Sequence, residues 1–264
     1  MPAEFTRIVL KSGKDQSLKR FHPWVFSGAI KKTYGPLNEG DLVEVFSNKD
    51  EFLGLGHYQV GSITVRIVSF VRTEPDYDFW KNKIERAWDY RKTLGFDVNK
   101  ETNVFRLVDA EGDGLPGLIV DFYNGTAVMQ MHSVGMYLIR EELVNALKEV
   151  MGNRLKAVYN KSTKTLPDKA PIEPEDGYLY GVKPEAGVLE YGLKFNIDWK
   201  TGQKTGFFID QRENRLLVQK YAESRYVLNM FGYTGGFSIY AMKGGAKSVH
   251  SVDASAKAID LTNE

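Results

Sequence analysis

The stretch that most constrains the fold is VLNMFGYTGGFSIYAMKGGAKSVHSVDAS, residues 227–255. An apolar run, Tyr226–Phe231, predicts a strand that enters a glycine turn, and Phe237–Lys243 predicts a short helix. A second apolar run, Lys247–Val252, predicts another strand and ends at Asp253. This order is typical of nucleotide-binding units, in which glycines let the ligand approach the backbone and the acid accepts hydrogen bonds from a ribose.

The glycine turn leaves two interpretations open. Glycine turns between a strand and a helix are also common structural features, so a purely structural role is one alternative. A G-x-G-x-x-G fingerprint is absent, because Phe231 and Tyr233 occupy positions where two of its glycines would stand. This argues against a dinucleotide whose pyrophosphate lies on the helix N-terminus. A smaller ligand with an adenosine end, such as S-adenosylmethionine, suits the turn better, and Gly244 is predicted to end the helix.

The composition limits the remaining classes of function. A chain of 264 residues suits two or three domains, and its net charge of +1 excludes a uniformly basic protein. The absence of cysteine excludes disulfides, thiolate metal sites and a cysteine nucleophile within these residues. The histidines show no metal-ligand spacing, so no metal is expected. No apolar run reaches the ~20 residues that span a membrane and no signal core is present, so we expect a cytoplasmic protein.

Changes of pattern along the chain predict three domains. Residues 1–72 contain short β-rich segments separated by turns, which predict a small all-β barrel. Residues 73–187 predict an α+β middle domain, with helices over Asp76–Leu94 and over 136–151. Residues 188–264 predict the start of an α/β domain that contains the glycine turn.

The connections between these elements carry further predictions. Residues 165–187 contain four prolines and five acids and predict a loop. A hairpin is predicted to turn around Lys200–Lys204, and Asp210 is the predicted N-cap of the helix that follows. In EGDGLPG, the acids Glu111 and Asp113 invite an acid–base role, but turn chemistry accounts better for the glycines and the proline.

Basic residues are concentrated near the N-terminus. Residues 7–32 carry seven lysines and arginines against one acid, Asp15, a distribution that a phosphate backbone would attract. The alternative is an ordinary solvated surface. The residues predicted to contact RNA are Lys11, Lys14, Lys19, Arg20, His22, Lys31 and Lys32.

Four motifs together resemble one family. They are FHPWVFSGAI, AEGDGLPGLIVD, TGFFIDQRENR and the F-x-Y-T-G-G-F turn, and they follow one another from about residue 5 to the end. They resemble the class I S-adenosylmethionine-dependent RNA methyltransferases that carry an N-terminal PUA domain, typified by the enzyme that makes 5-methylcytosine in 23S ribosomal RNA. The resemblance implies a PUA-like RNA-binding barrel, an α+β middle domain and the N-terminal part of a doubly wound, Rossmann-like methyltransferase domain.

The resemblance also implies a cofactor site for S-adenosylmethionine. Its residues would be Phe208, Asp210, Gln211, Arg212, Asn229, Phe231, Gly232, Tyr233, Thr234, Gly235, Gly236 and Asp253. Class I methyltransferases often carry an acid at the position of Asn229, and an amide cannot neutralise the ammonium of the cofactor's methionine end. Arg215 is a second basic candidate, although Arg212 is favoured because it lies inside the motif.

The catalytic residues implied by the resemblance lie outside this sequence. Methylation of cytosine carbon 5 needs a thiolate that attacks carbon 6, and the 264 residues contain no cysteine. We therefore expect the nucleophile beyond Glu264, in a chain that is a fragment and inactive by itself. A second copy of the chain is an alternative cover for the strands of the glycine-turn unit. The function predicted is methylation of 23S ribosomal RNA, and the alternatives are an RNA-binding module and a dinucleotide-dependent oxidoreductase.

Overall fold

The computed structural model describes residues 5–168, 170–182, 184 and 187–263. The chain divides into two compact units, Met1–Ala186 and Gly187–Glu264. The first unit contains two sheets with separate apolar clusters, and the second contains the glycine turn. The finer division at residues 72 and 187 into three domains stays a prediction.

The first sheet of the first unit has six strands. They are β1 (Thr6–Leu10), β2 (Trp24–Phe26), β3 (Ile30–Tyr34), β4 (Leu42–Phe46), β5 (Phe52–Tyr58) and β6 (Ile63–Ser69), with a short helix α1 (Gln16–Lys19) after β1. The strand order is β2-β6-β5-β4-β1-β3, with β1 and β4 parallel and the other pairs antiparallel. The all-β prediction is confirmed, but β2 and β3 are the edges of this sheet, so its ladder is not that of a closed barrel.

The second sheet of the first unit has five strands and is accompanied by three helices. In chain order the elements are α2 (Tyr77–Thr93), β7 (Val104–Asp109), β8 (Leu118–Tyr123), β9 (Thr126–Met131), α3 (Val134–Leu138), α4 (Arg140–Met151), β10 (Ala157–Asn160) and β11 (Gly177–Gly181). The order is β11-β10-β9-β8-β7, and α2 packs against α4. Helix α2 begins where the sequence predicts, because the Asp76 carboxylate accepts a hydrogen bond from Phe79 N at 2.9 Å.

Two predictions in this region were wrong in part. The helix predicted over 136–151 is interrupted at Ile139, and α3 begins earlier because Ser133 Oγ accepts from Met136 N at 3.4 Å. The loop predicted over 165–187 contains strand β11, which pairs antiparallel with β10. The prolines before residue 175 and at 184 leave Gly177–Gly181 free of proline, so the segment can complete the ladder. Within this predicted loop, positions 169, 183, 185 and 186 lie outside the described residues.

The second unit combines a short hairpin with a β–α–β unit. Its elements are β12 (Val188–Glu190), β13 (Leu193–Phe195), α5 (Arg212–Tyr221), β14 (Tyr226–Met230), α6 (Gly236–Lys243), β15 (Ser248–Val252) and α7 (Ala256–Asn263). Strands β14 and β15 pair in parallel, and α6 connects them, as the sequence predicts. Gly244 lies at the C-cap of α6, also as predicted.

The sequence misplaced two features of this unit. The hairpin turns at Tyr191 and Gly192, whose φ angles of 49° and 75° are typical of a tight two-residue turn, and not around Lys200–Lys204. Helix α5 begins at Arg212 with Gln211 at the N-cap position and no side-chain cap, because a 3₁₀ turn over Ile209–Gln211 precedes it. Asp210 therefore lies inside that turn and not at the N-cap.

The strands of the β–α–β unit are covered on one face only. Helix α6 packs on one side of β14 and β15. On the other side, Tyr226, Leu228 and Met230 are 80%, 64% and 51% exposed. Among the described residues, this second face of β14 is therefore exposed. No described helix has the length and apolar character needed to cross a lipid bilayer.

Buried His57 makes the stability of the first unit depend on pH. His57 stacks on Trp80 with ring centroids 5.7 Å apart, and burial lowers the pKa of His57 to about 4. An unfolded histidine titrates near 6.5, so between about pH 6.5 and 4 only the unfolded chain takes up this proton. The free energy of unfolding therefore decreases by roughly 3 kcal/mol as the pH falls from about 6.5 to 4.

We expect His57→Gln to flatten the pH dependence of unfolding of the first unit. Urea unfolding measured at several pH values between 7 and 4 tests this. All other titratable groups are the same in both proteins, so the difference between the two pH profiles reports the contribution of His57. His22→Gln, at an exposed position, is the matched control and should keep the wild-type slope. Equal slopes for His57→Gln and the wild type would contradict the assignment.

Candidate functional site

The loop after β14 adopts the left-handed backbone conformation that glycine favours, although two of the three left-handed residues are aromatic. Phe231, Tyr233 and Gly235 have φ angles of 59°, 47° and 74°. Phe231 and Tyr233 are the positions where a fingerprint would carry glycine, and each pays about 1–2 kcal/mol for the left-handed conformation. Hydrogen bonds fix the loop, from Gly232 N to Val252 O at 3.0 Å and from Gly235 N to Gly232 O at 2.9 Å. Backbone strain of this kind is concentrated at functional sites.

Asp253 joins this loop to the end of β15. Its Oδ2 accepts from Tyr233 N at 2.8 Å and its Oδ1 accepts from Ser255 N at 2.9 Å. The backbone N–H groups of Ser255 and then Tyr233 lower the pKa of Asp253 below its usual value. The carboxylate is therefore ionised at neutral pH, and each oxygen retains a lone pair for a ligand hydroxyl.

A cavity of about 610 Å³ lies beside the loop, a size typical of small-molecule sites. Its lining comes from the segment before α5, the glycine turn and the end of β15. The lining residues are Gln203, Lys204, Phe207, Phe208, Asp210, Gln211, Arg215, Phe231, Gly232, Tyr233, Thr234, Gly236, Phe237, Asp253 and Ala254. Most residues of the predicted cofactor site are thus brought together around one cavity.

Three residues of the predicted cofactor site do not line this cavity. Asn229 Nδ2 donates to Ser238 Oγ at 2.8 Å, and this amide therefore connects β14 to α6. Gly235 lies against α7, where an added Cβ would be 2.5 Å from Thr262 Cγ2. Arg212 Nε donates to Glu190 Oε2 at 3.1 Å. Each of the three therefore contacts a neighbouring element of the second unit. Their contribution to cofactor binding stays a prediction.

A buried ionic network supports the wall of the cavity. Glu190 is fully buried, and its Oε1 and Oε2 accept from Arg215 Nε and Nη2, each at 2.8 Å. Arg215 Nη1 donates to Phe208 O at 2.9 Å, so the guanidinium also fixes the backbone of a lining residue. Of the two arginines, Arg215 and not the favoured Arg212 lines the cavity.

Tyr240 completes this network from helix α6. Its hydroxyl donates to Glu190 Oε1 at 3.0 Å. Burial, and then the charge of Glu190, raise the pKa of the Tyr240 phenol, so it remains a donor. Sequence reasoning missed Glu190 and Tyr240, because a single acid in a three-residue strand and a tyrosine in an apolar helix carry no distinctive signal.

The segment 198–206 forms the remaining wall of the cavity. Tyr233 Oη accepts from Gln203 N at 2.9 Å and donates to Gly206 O at 3.3 Å. Asp198 holds the other side of the segment, 2.6 Å from Lys257 Nζ of α7. Burial would raise the pKa of Asp198, but hydrogen bonds from Lys257 and the Thr201 side chain hold it well below its usual range.

The basic residues predicted to contact RNA lie in the first unit, and all of them are exposed. Lys19 Nζ is 2.8 Å from both Asp15 Oδ2 and Glu51 Oε2, so its charge is balanced by neighbouring acids. Lys11 Nζ donates to Gly28 O at 2.9 Å. The role of this surface stays a prediction, with the charge at Lys19 less available than the sequence suggests.

The acids of EGDGLPG have structural partners. Asp113 forms a bidentate pair with Arg91, at 2.6 and 2.8 Å, and Glu111 Oε1 accepts from Trp24 Nε1 at 2.8 Å. These contacts agree with the preference for turn chemistry over an acid–base pair. Across the described residues, no group of three or more histidine and acidic side chains could hold a metal ion.

Comparison with known families identifies two segments. Residues 8–70 match the PUA-like domain, and residues 176–263 match the S-adenosylmethionine-dependent methyltransferase model. The first segment covers the six-stranded sheet, and the second contains the cavity. The prediction of a PUA-like domain is therefore confirmed.

Curated relatives match along almost the whole chain. The ribosomal RNA large subunit methyltransferase I of Alteromonas mediterranea is 42% identical over 258 residues, which is 97% of this chain and 64% of the relative. The protein of the same name from Pseudoalteromonas atlantica is 40% identical with the same coverage. The chain thus spans about two thirds of the length of the curated relatives it matches.

Two solved structures share the fold of the chain. One, a candidate S-adenosylmethionine-dependent methyltransferase from Streptococcus mutans, is 28% identical with a TM-score of 0.82. Another candidate methyltransferase, solved in complex with S-adenosylhomocysteine, is 27% identical with a TM-score of 0.83. Each match covers 97% of this chain and 65% of the other. The chain therefore carries a PUA-like domain and an S-adenosylmethionine-dependent methyltransferase domain, and the predicted cofactor class is confirmed.

Proposed function

We propose that this chain provides the RNA-binding and cofactor-binding parts of a methyltransferase that modifies cytosine carbon 5 in 23S ribosomal RNA. The observation that carries the proposal is the cavity in which the strained loop Phe231–Gly236 lies beside the ionised Asp253. The names of the curated relatives support ribosomal RNA as the substrate. The choice of cytosine carbon 5 rests on the motif resemblance.

The residues around the cavity fit S-adenosylmethionine. Asp253 would accept hydrogen bonds from the ribose, and the rings of Phe208 and Phe231 would flank the flat adenine. Asp210 would supply the negative charge that Asn229 lacks, opposite the ammonium of the methionine end. When bound, the cofactor supplies an electrophilic methyl group on a sulfonium. The residues of this chain would hold and orient that group and would keep the adenosine end out of water.

The same loop disfavours a dinucleotide. A pyrophosphate approaches the helix N-terminus through a loop whose glycines leave room for it. Here Phe231 and Tyr233 carry rings at these positions, and the Tyr233 ring is fixed edge-to-face on Phe208 with centroids 5.3 Å apart. Side chains at these two positions leave less room for a phosphate than glycines would. A nicotinamide cofactor is the weaker candidate.

Calorimetric titration of the purified chain tests the cofactor part of the proposal. We expect S-adenosylhomocysteine to bind and NAD not to bind at comparable concentrations. Adenosine alone should bind more weakly than S-adenosylhomocysteine, because it lacks the amino acid end. Binding of NAD in preference to S-adenosylhomocysteine would overturn the proposal in favour of an oxidoreductase.

A methyl-transfer assay tests the chemistry. Attack on cytosine carbon 6 needs a thiolate, and the 264 residues contain no cysteine. We therefore expect these residues alone to bind the cofactor and RNA without forming 5-methylcytosine. Formation of 5-methylcytosine in 23S ribosomal RNA by this chain alone would overturn the thiolate argument. The alternative of an RNA-binding module is favoured by the PUA-like domain, and failure to bind S-adenosylhomocysteine would support it.

A further inference from the structure

A second cavity lies in the first unit, between the first sheet and helix α2. We name it the seam cavity, and its volume is about 450 Å³. The residues that matter here are Phe21, Phe70, Phe79, Asn82, Lys83 and Arg86. None of them belongs to the cofactor cavity or to the basic residues predicted to contact RNA. The volume is large enough for one nucleotide.

Phe21 is the most unusual residue of the seam cavity. Its side chain is 72% exposed, although its backbone has the left-handed φ of 61°. A hydrogen bond from Phe21 N to Leu18 O at 2.9 Å fixes this conformation, and the ring lies edge-to-face on Phe70 with centroids 5.3 Å apart. An aromatic ring that is both strained and exposed adds little to the core. Its geometry points to a contact with a molecule outside the chain.

Helix α2 places two cations at the edge of the same cavity. Lys83 Nζ donates to Gly114 O at 2.8 Å and lies 5.0 Å from the centroid of Phe79. Among the described residues, neither Lys83 nor Arg86 forms an ion pair. Burial, and then the charge of Arg86, lower the pKa of Lys83 to about 8. Two neighbouring cations without a carboxylate partner would be stabilised by an anion.

One acid lines the seam cavity but does not neutralise these cations. Glu111 Oε1 accepts from Trp24 Nε1 at 2.8 Å, and the same carboxylate interacts electrostatically with Arg66. Trp24 belongs to a row of rings that continues from Phe21 along the chain. His22 and Trp24 are 5.5 Å apart between centroids, and Trp24 and Phe26 are 6.3 Å apart. Aromatic rings next to cations are the combination that binds single-stranded nucleic acid.

We infer that the seam cavity binds one unpaired nucleotide of RNA, with its base against Phe21 and its phosphate at Lys83 and Arg86. The carboxamide of Asn82, at the same edge, can both donate to and accept from a base edge. The inference rests on the proposed function for its choice of RNA as the partner. It differs from the prediction made from the basic cluster, because the contacts that select an unpaired base lie on Phe21 and α2.

The test uses the whole chain and a fluorescein-labelled single-stranded RNA of twelve nucleotides, with binding measured by anisotropy. Phe21→Asn removes the ring but suits the left-handed backbone, so the unfolding midpoint should not fall while the affinity drops by about tenfold. Phe21→Trp should restore the affinity. Tyr90→Ala is the control, since this ring is 58% exposed on another part of α2 and should not affect binding.

The cations are tested through the salt dependence of the same binding. Replacing Lys83 and Arg86 together with glutamine should reduce the slope of log K against log salt by about 0.7, the change expected for one phosphate of a single strand. Lys100→Gln, at an exposed position, makes the same change of charge as each single variant and should lower the slope less than Arg86→Gln does.

The outcomes separate this inference from the proposed function. Loss of affinity in Phe21→Asn but not in Tyr90→Ala, together with a larger drop in slope for Arg86→Gln than for Lys100→Gln, supports the seam cavity. RNA binding by the wild type that is equally strong in these variants overturns the seam cavity and leaves the proposed function in place. No RNA binding by the wild type overturns both the seam cavity and the RNA part of the proposed function, while binding of S-adenosylhomocysteine would still stand by itself.

Discussion

Glu190→Ala is expected to lower the free energy of unfolding of the second unit by about 3–5 kcal/mol. The change leaves the buried guanidinium of Arg215 without its carboxylate and removes the acceptor of Tyr240. A unit of this size is stable by only about 4–12 kcal/mol, so the loss is a large fraction of the total. Urea unfolding followed by the fluorescence of Trp199, which is buried in this unit, measures the effect.

Two variants make this prediction specific. Glu213→Ala removes an acid from the exposed face of α5. The Glu213 carboxylate accepts a hydrogen bond from Tyr191 Oη at 2.9 Å. It should change the stability by less than about 1 kcal/mol. The double change of Glu190 and Arg215 to methionine should recover part of the stability, because it removes two buried charges and leaves only Arg212 without its carboxylate. A Glu190→Ala variant as stable as Glu213→Ala would contradict the importance of the network.

Asp253→Ala is expected to weaken binding of S-adenosylhomocysteine by about 1.5–3 kcal/mol, which is roughly 10- to 150-fold. The variant loses charge-assisted hydrogen bonds to the ribose. It also releases the N–H of Tyr233, which Asp253 holds at 2.8 Å, so the strained loop loses one of its supports. Isothermal titration calorimetry with the purified chain measures the change.

Asp253→Asn separates these two contributions. The amide keeps an oxygen acceptor of the same shape but not the charge, so we expect an affinity between those of the wild type and Asp253→Ala. Asp260→Ala, at an exposed position of α7, is the control and should bind as the wild type does. Unchanged affinity in Asp253→Ala would show that the carboxylate does not touch the ligand.

The sequence predicted best where a local pattern determines the structure. Helix α2 was placed within a residue because Asp76 caps it and its apolar spacing is regular. The β–α–β unit was found because the glycine turn separates two apolar runs and Asp253 ends the second. The cavity lining followed in large part from motifs adjacent to this turn.

The sequence predictions fail where the local structure is determined by residues that are distant in the chain. Strand β11 exists because β10 offers a free edge, which a proline-rich segment read by itself cannot reveal. The hairpin turns at Tyr191 and Gly192 although lysine- and glycine-rich residues further on suggested a turn there. Glu190 was missed because its importance comes from burial by Arg215 and Tyr240, which lie 25 and 50 positions away in the chain.

The left-handed residues of the loop have a consequence for how such sites diverge between proteins. Because Phe231 and Tyr233 already hold the backbone that a glycine fingerprint requires, either position could become glycine or asparagine without a change in the path of the chain. Valine or isoleucine, by contrast, would be excluded, since β-branched side chains tolerate this conformation least. Loops with almost no identical residues can thus follow the same backbone path. A relationship between such loops would then be detected by comparing their φ angles and not by comparing their sequences.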